Sequence, residues 1–379
     1  MEFCENGSLY DLVIVGGGPA GANLARLVGA SALSVLLIDG SQARGDKVCA
    51  GLLSPDAQAS LARYDIELPP GVLSSPQLFS VRTVDLAEHG GPTRRYLRHY
   101  LNLDRAAFDG FLRSLVPDRV TVLHGVCRSV KASECGFALE VRVGESLHEI
   151  RTRRVVGADG ATSVVRRCLF PERKIQKYVA IQEWFPPRNA DTHYSCIFDK
   201  ETSESCSWIF AKGDAVVFGG AFSPKNCRKA FEKQKEKLVR RGLLPDAPPF
   251  RTEACMVSRP HLLRGVFLGT EGAYLIGEAA GFISPSSFEG ISYALDSSDA
   301  LASALLAETA SEKRKSTFAR YRRAVAPLCR KVALKCLKHP FMYREALRTV
   351  ILKTGIGAIP ERKLPAPAFH SYEKGASNT

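Results

Sequence analysis

Leu9-Tyr10-Asp11-Leu12-Val13-Ile14-Val15-Gly16-Gly17-Gly18-Pro19-Ala20-Gly21 decides the fold of this 379-residue chain. Residues 9–15 form an apolar run without alternation, which predicts a strand buried on both faces of a parallel sheet. The run enters G-x-G-x-x-G at Gly16, Gly18 and Gly21, and Ala22 to Ala30 has helical composition. A second apolar strand, Ser34-Val35-Leu36-Leu37-Ile38, ends at Asp39, 23 residues after the first glycine. Each part of this βαβ unit has a job. Gly16 permits the tight turn, Gly18 lets the backbone approach a pyrophosphate, and Gly21 lets helix and strand pack closely. The helix N-terminus at Pro19 and Ala20 offers unpaired N–H groups to phosphates, and Asp39 accepts hydrogen bonds from a ribose. A carboxylate there repels a 2′-phosphate.

Working outward, two later segments return to the same sheet. Arg153-Arg154-Val155-Val156-Gly157-Ala158-Asp159-Gly160 is a short apolar strand ending in a Gly-flanked acid. Ala273-Tyr274-Leu275-Ile276-Gly277-Glu278-Ala279-Ala280-Gly281 repeats that pattern and leads through Pro285 and Glu289-Gly290 into a helical run, Ile291 to Leu306. Such turns place backbone and carboxylates at the carboxyl edge of a sheet, where α/β proteins bind cofactors. Between Tyr178 and Phe222, aromatic-rich alternating stretches (195–198, 207–210 and 215–218) predict antiparallel strands. The expected organisation is a nucleotide domain over 1–170, with some strands of a second domain near 76–100. A sheet domain follows over 171–265, the nucleotide domain returns over 266–310, and a basic helical segment spans 311–379, its end from Pro360 loose.

Composition excludes several classes. Apolar residues at 45% and charged residues at 24% suit an ordinary globular protein. The eleven cysteines are odd in number and never spaced C-x-x-C, which argues against zinc ribbons and dithiol motifs and for reduced thiols. The eight histidines show no metal-ligand spacing. With neither a basic start before an apolar run nor an apolar stretch of about 18 residues, a cytoplasmic placement is expected. The net charge of +13 is concentrated: residues 311–363 hold fifteen Lys or Arg against three acids. That excess reads either as a solvated helical face or as attraction to an anionic membrane or phosphorylated ligand. Nucleic acid is not expected, because no binding module accompanies the charge.

The three glycine-acid motifs together resemble the glutathione-reductase-type FAD enzymes of the aromatic hydroxylase fold. Their third motif usually begins G-D, whereas here Gly277-Glu278 resembles the geranylgeranyl reductase family. Lys47-Val48-Cys49-Ala50-Gly51-Leu52-Leu53-Ser54-Pro55 resembles that family's K-P-C-G-G-G-hydrophobic-S segment, and Ser207 to Asp214 resembles its Y-x-W-x-F-P motif. Val48, Ala50, Cys206 and Ala211 depart from those patterns, so the substrate-facing motif is the altered one.

The resemblance implies an α/β fold with an FAD-binding domain, an inserted antiparallel-sheet substrate domain and a helical C-terminal segment. It implies FAD held by residues of the three motifs, among them Gly16, Gly18, Pro19, Ala20, Gly21, Asp39, Asp159, Gly160, Gly277, Glu278, Gly281, Pro285, Gly290 and Ile291. Lys47, Cys49, Ala50, Gly51, Arg105 and Val126 complete the set. Arg105 matches the fold's arginine near the FAD phosphates or adenosine. Cys49 is placed to give a proton or tune the flavin, and Lys47 to offset its charge. Trp208, Phe210 and Phe218, with Phe185, are candidates for an apolar substrate wall, or plain core residues.

The expected activity is reduction of carbon–carbon double bonds in an isoprenoid or other hydrophobic substrate. The alternative is a flavin monooxygenase of the aromatic hydroxylase type, although the histidine of that group's third motif is Gly281 here. A non-turnover FAD sensor is a third reading. Electrons would come from NAD(P)H or from ferredoxin or flavodoxin; there is no second G-x-G-x-x-G for a nicotinamide. The implied placement is cytoplasmic, with the tail at the inner face of the membrane if it meets lipid.

Overall fold

A computed structural model describes residues 9–41, 47, 49–87, 91–187, 193–262, 265–309 and 316–360. Val48 and the end beyond Pro360 lie outside them.

The opening apolar run becomes a strand at Leu12–Val15 whose four residues are all buried. It sits inside a six-stranded sheet ordered Gly269–Thr270, Ala273–Leu275, Val155–Gly157, Leu12–Val15, Val35–Asp39 and Thr121–His124. All pairings are parallel except that of the first two strands. Both acid-Gly segments therefore return to this sheet, Val155–Gly157 beside the first strand with Val155 opposite Val13, and Ala273–Leu275 one strand further out with Ala273 opposite Val155. The helix after the glycine turn spans Pro19–Val28, not Ala22 to Ala30. Proline suits the first helical position because it lacks the N–H that would be unpaired there. The helix Ile291–Thr309 packs on it and supplies Tyr293, Leu301 and Leu305 to the same core. A smaller sheet joins Leu9–Tyr10 to the meander Val126–Ser133, Gly136–Val143 and Ser146–Thr152.

The second large sheet has eight strands, in the order Arg251–Arg259, Gln176–Phe185, Ala215–Phe222, Ser207–Lys212, His193–Phe198, Leu78–Asp85, Arg94–Asn102 and Leu52–Leu53. It is antiparallel except where His193–Phe198 runs parallel to Leu78–Asp85. Alternation within each strand could not show this, because the parallel pair joins segments more than a hundred residues apart. One face of the sheet buries Ile181, Phe185, Phe218 and Phe222 against Phe231 and Leu238 of the helix Cys227–Arg240. The other carries Leu78, Tyr100, Trp208, Phe210 and Val217.

The basic tail is helical at Thr317–Ala324, Ala326–Tyr343 and Glu345–Thr354. Part of its charge is internal: Arg348 Nε lies 2.6 Å from the buried Asp85 carboxylate, and Lys331 Nζ lies 2.8 Å from Asp56. No helix among the described residues is long and apolar enough to cross a membrane.

Candidate functional site

The carboxyl edge of the parallel sheet and the aromatic face of the large sheet meet across a cleft of about 1810 Å³, its open mouth included. One end is backbone-rich. Gly16, Gly17, Gly18, Pro19 and Ala20 line it, with Asp39 below. A methyl on Gly18 would meet nothing within 4 Å, whereas one on Gly21 would lie 1.8 Å from the carbonyl oxygen of Gly16. Gly18 thus faces open space and Gly21 faces the strand.

Asp39 is buried, accepts from Ser41 N–H at 3.0 Å and Ser41 Oγ at 2.8 Å, and has Arg113 Nε at 3.6 Å. Asp159 accepts from Val164 N–H at 2.5 Å through Oδ2, while its buried Oδ1 has no hydrogen-bond partner. Burial raises the Asp159 carboxyl against the N–H groups that pull it down. That orphaned acceptor, the open space over Gly18 and the Asp39 carboxylate fit the hydroxyls and pyrophosphate of FAD.

The helix Arg105–Ser114 carries Arg105, Asp109 and Arg113 at i, i+4 and i+8, and all three line the cleft. Arg105 Nε donates to Asp109 Oδ1 at 2.8 Å. This guanidinium faces Cys49, whose Sγ also accepts from Gly51 N–H at 3.5 Å. Burial pushes the Cys49 thiol up, but Arg105, the Gly51 N–H and Lys47 bring it net below its ordinary value. Lys47 Nζ lies 2.5 Å from Glu278 Oε2, and Glu278 Oε1 accepts from Ser258 N–H at 2.7 Å. The third-motif acid therefore ties the two sheets together at the cleft wall.

The far end is walled by Ala180, Trp208, Val257, Ile283 and Phe288. Its polar groups are few: Gln182, Tyr194, Ser287 and the pair Tyr100–Glu289, in which the phenol donates to Oε1 at 2.7 Å. Tyr100 and Tyr194 stack at 5.1 Å. Burial, then the Glu289 charge, raises the Tyr100 phenol.

Fifteen sequence candidates line the cleft: Gly16, Gly18, Pro19, Ala20, Asp39, Lys47, Cys49, Ala50, Arg105, Asp159, Gly160, Trp208, Glu278, Gly290 and Ile291. Gly21, Gly51, Gly277, Gly281, Pro285 and Phe210 do not line it. Three candidates need correction. Phe218 is fully buried on the opposite face, its ring 4.8 Å from Phe231, because odd and even residues of a strand point to opposite faces. Phe185 shares that fate. Val126 is buried and does not line the cleft; the edge beside Asp39 belongs to Gly125, whose N–H donates to the Asp39 carbonyl at 3.0 Å.

Tyr100, Tyr194, Gln182, Asp109 and Arg113 line the cleft but were not among the site residues expected from the sequence. The helical spacing from Arg105 was the signal that could have found the last two.

Lys212 sits behind this site, its Nζ donating to the Ala50 carbonyl at 2.7 Å. Burial lowers its ammonium to about 8. An unfolded lysine titrates near 10.4, so between about pH 8 and 10.4 the unfolded chain binds the extra proton and stability rises with pH. Urea midpoints at several pH values should show a steeper rise in wild type than in Lys212→Met. Identical slopes would remove Lys212 from the titration.

No family model matches the chain. Protein CbrA of Escherichia coli (strain CFT073) is 41% identical over 359 residues, covering 93% of this chain and 96% of the relative. A geranylgeranyl bacteriochlorophyll reductase-like protein from Thermoplasma acidophilum superposes with a TM-score of 0.74 at 19% identity, covering 91% of each chain. A probable FAD-dependent monooxygenase from Pseudomonas aeruginosa, PqsL, gives 0.65 at 18% identity, covering 92% of this chain and 100% of its own. Both structures show that the fold is that of FAD-dependent oxidoreductases and monooxygenases. The stretches Tyr178–Gln182, Tyr194–Asp199 and Ile276–Asp296 also resemble the bacterial FAD protein of colicin M resistance, CbrA. At that identity over nearly its whole length, the chain belongs to the CbrA family.

Proposed function

We propose that the protein is an FAD-dependent reductase of carbon–carbon double bonds in an isoprenoid or other hydrophobic substrate. One observation carries this reading. One cleft is lined by the glycine turn, Asp39, Asp159 and Arg105, by Cys49, and by the apolar Trp208, Val257, Ile283 and Phe288 with few polar anchors. Such a wall suits an uncharged chain, and the few polar groups would orient it. FAD, when bound, supplies hydride chemistry; Gly16 to Ala20, Asp39, Asp159 and Arg105 would hold it.

Saturating an alkene adds a hydride to one carbon and a proton to the other. Cys49 holds a proton at Sγ, and its lowered thiol pKa eases release. Tyr100 holds another on its phenol, which Glu289 fixes in place. Electrons would be restored by NAD(P)H or by ferredoxin or flavodoxin. Cys49→Ala should keep its FAD yet slow anaerobic, substrate-dependent reoxidation of the reduced flavin by roughly tenfold or more. Wild-type rates in that variant would make Cys49 a packing residue.

The fold shared with PqsL keeps monooxygenation as the second reading. Lipid extracts of cells with and without the protein, analysed by mass spectrometry, separate the two. Reduction adds two hydrogens per double bond, whereas monooxygenation adds an oxygen atom and consumes O2. Acid precipitation should release the whole chromophore as FAD; FMN in the supernatant would overturn the cofactor assignment.

A further inference from the structure

The helix Ala326–Tyr343 turns one side inward: Lys331 pairs with Asp56, Cys336 Sγ donates to the Pro260 carbonyl at 3.4 Å, and Tyr343 Oη donates to the Ser286 carbonyl at 2.7 Å. Ser286 adjoins Ser287, Phe288 and Glu289 of the cleft wall. The helix's outer side carries Arg330, Leu334, Leu337 and Lys338, which share one face by their spacing, and both leucines are more than half exposed.

The next helix, Glu345–Thr354, buries Arg348 and Leu352 and exposes Leu347, Val350 and Ile351, an i, i+3, i+4 stripe. Ile356, just beyond it, is 79% exposed. A packed helix normally turns such a stripe inward. Here the inward positions already hold Arg348 and Leu352, so the apolar stripe is left facing out. Arg330, Lys338, Arg344 and Lys353, spaced among these residues along the two helices, are exposed as well. Across residues 316–360 ten basic residues stand against one acid, Glu345.

We propose that this face of the two C-terminal helices docks on an anionic lipid bilayer, inserting Leu334, Leu337, Val350, Ile351 and Ile356 while the flanking cations meet headgroups. Apolar tips ringed by Lys and Arg match a bilayer interface, where hydrocarbon and negative charge lie within a few ångströms of each other. A second copy of the chain is a poorer occupant, because a two-fold contact would set this basic face against itself. Since the outer stripe lies one helix thickness, about 10 Å, from the cleft wall, docking would bring a membrane-held chain to the cleft. That last step rests on the reductase reading; the docking itself does not.

The test uses the flavin-loaded full chain without substrate. Vesicles of phosphatidylcholine with about a third phosphatidylglycerol should sediment the protein, pure phosphatidylcholine should not, and 1 M salt should release most of it, as the Debye length falls to about 3 Å. Leu334→Glu/Leu337→Glu/Val350→Glu/Ile351→Glu should cut partitioning at least tenfold while flavin absorbance is kept. If that variant loses its flavin, Arg330→Glu/Lys338→Glu/Arg344→Glu/Lys353→Glu serves, with the same expected loss. Sedimentation equal on both vesicle types, none on either, or wild-type binding by a folded variant overturns the proposal. So does a variant whose only change is from dimer to monomer. Normal docking here, together with no two-hydrogen mass shift in the lipid extracts of cells with and without the protein, would overturn the reductase reading alone.

Discussion

Gly21→Ala should yield a protein that has lost its flavin and much of its thermal stability. The added methyl would lie 1.8 Å from the Gly16 carbonyl oxygen and 3.0 Å from its carbon, so the helix must retreat by more than an ångström from the strand it follows. That retreat moves the helix N-terminus that faces the cleft, and it opens a gap beneath Leu24 and Ala25, both fully buried. Helix propensity favours the alanine by about 1 kcal/mol, so any loss must come from this contact. We expect FAD affinity to fall at least a hundredfold, about 2.7 kcal/mol. Gly18→Ala is the paired control: its methyl meets nothing within 4 Å, and its φ of −74° is open to any residue. That variant should fold with a normal melting temperature and still bind FAD poorly, because the methyl occupies the ligand's space. Purified protein, scanned at 450 nm and melted, separates the two. Full yellow colour in Gly18→Ala would place the pyrophosphate elsewhere.

Arg348→Ala should cost about 3–5 kcal/mol, because removing one partner leaves a buried charge uncompensated. Arg348 and Asp85 are both buried, their atoms 2.6 Å apart, and the guanidinium lies 4.9 Å from the Phe198 ring. Asp85 retains an N–H from Ala87 at 3.1 Å, which offsets only part of its lost solvation. Asp85→Leu/Arg348→Met should recover much of the loss, since an apolar pair of similar volume strands no charge. Urea unfolding of the three forms measures this. A single variant within 0.5 kcal/mol of wild type would show that water reaches the pair.

The parallel sheet was legible because strand, glycine turn, helix and acid recur in one short unit, and the two later acid-Gly segments repeat its ending. Asp39, Cys49, Arg105 and Asp159 came from motifs, and the structure brings all four to one cleft. The large sheet was legible as strands but not as faces. Trp208 and Phe218 read alike in the sequence, and only the register, with Trp208 opposite Gly219 and Ile209 opposite Phe218, puts them on opposite sides. Tyr100 and Tyr194 stayed hidden for a related reason. They meet because Leu78–Asp85 bridges their two strands, and the parallel half of that bridge has no local signal. The tail's charge was legible as a total. Its division into buried Arg348, paired Lys331 and an exposed ring depends on helix phase against the rest of the chain.

The order of the six-stranded sheet bears on biosynthesis. Leu12–Val15 leaves the ribosome first, yet its neighbour Val155–Gly157 is made about 140 residues later, and the strand beyond that, Ala273–Leu275, later still. At translation rates of about 5–20 residues per second, the glycine turn waits roughly 13–50 s for that last strand, and longer for the Ile291–Thr309 helix. Until Val155–Gly157 is made, one edge of the Leu12–Val15 strand has no permanent partner, the condition under which nascent chains engage holdase chaperones. The dinucleotide motif is thus translated well before the segments that let it retain its ligand.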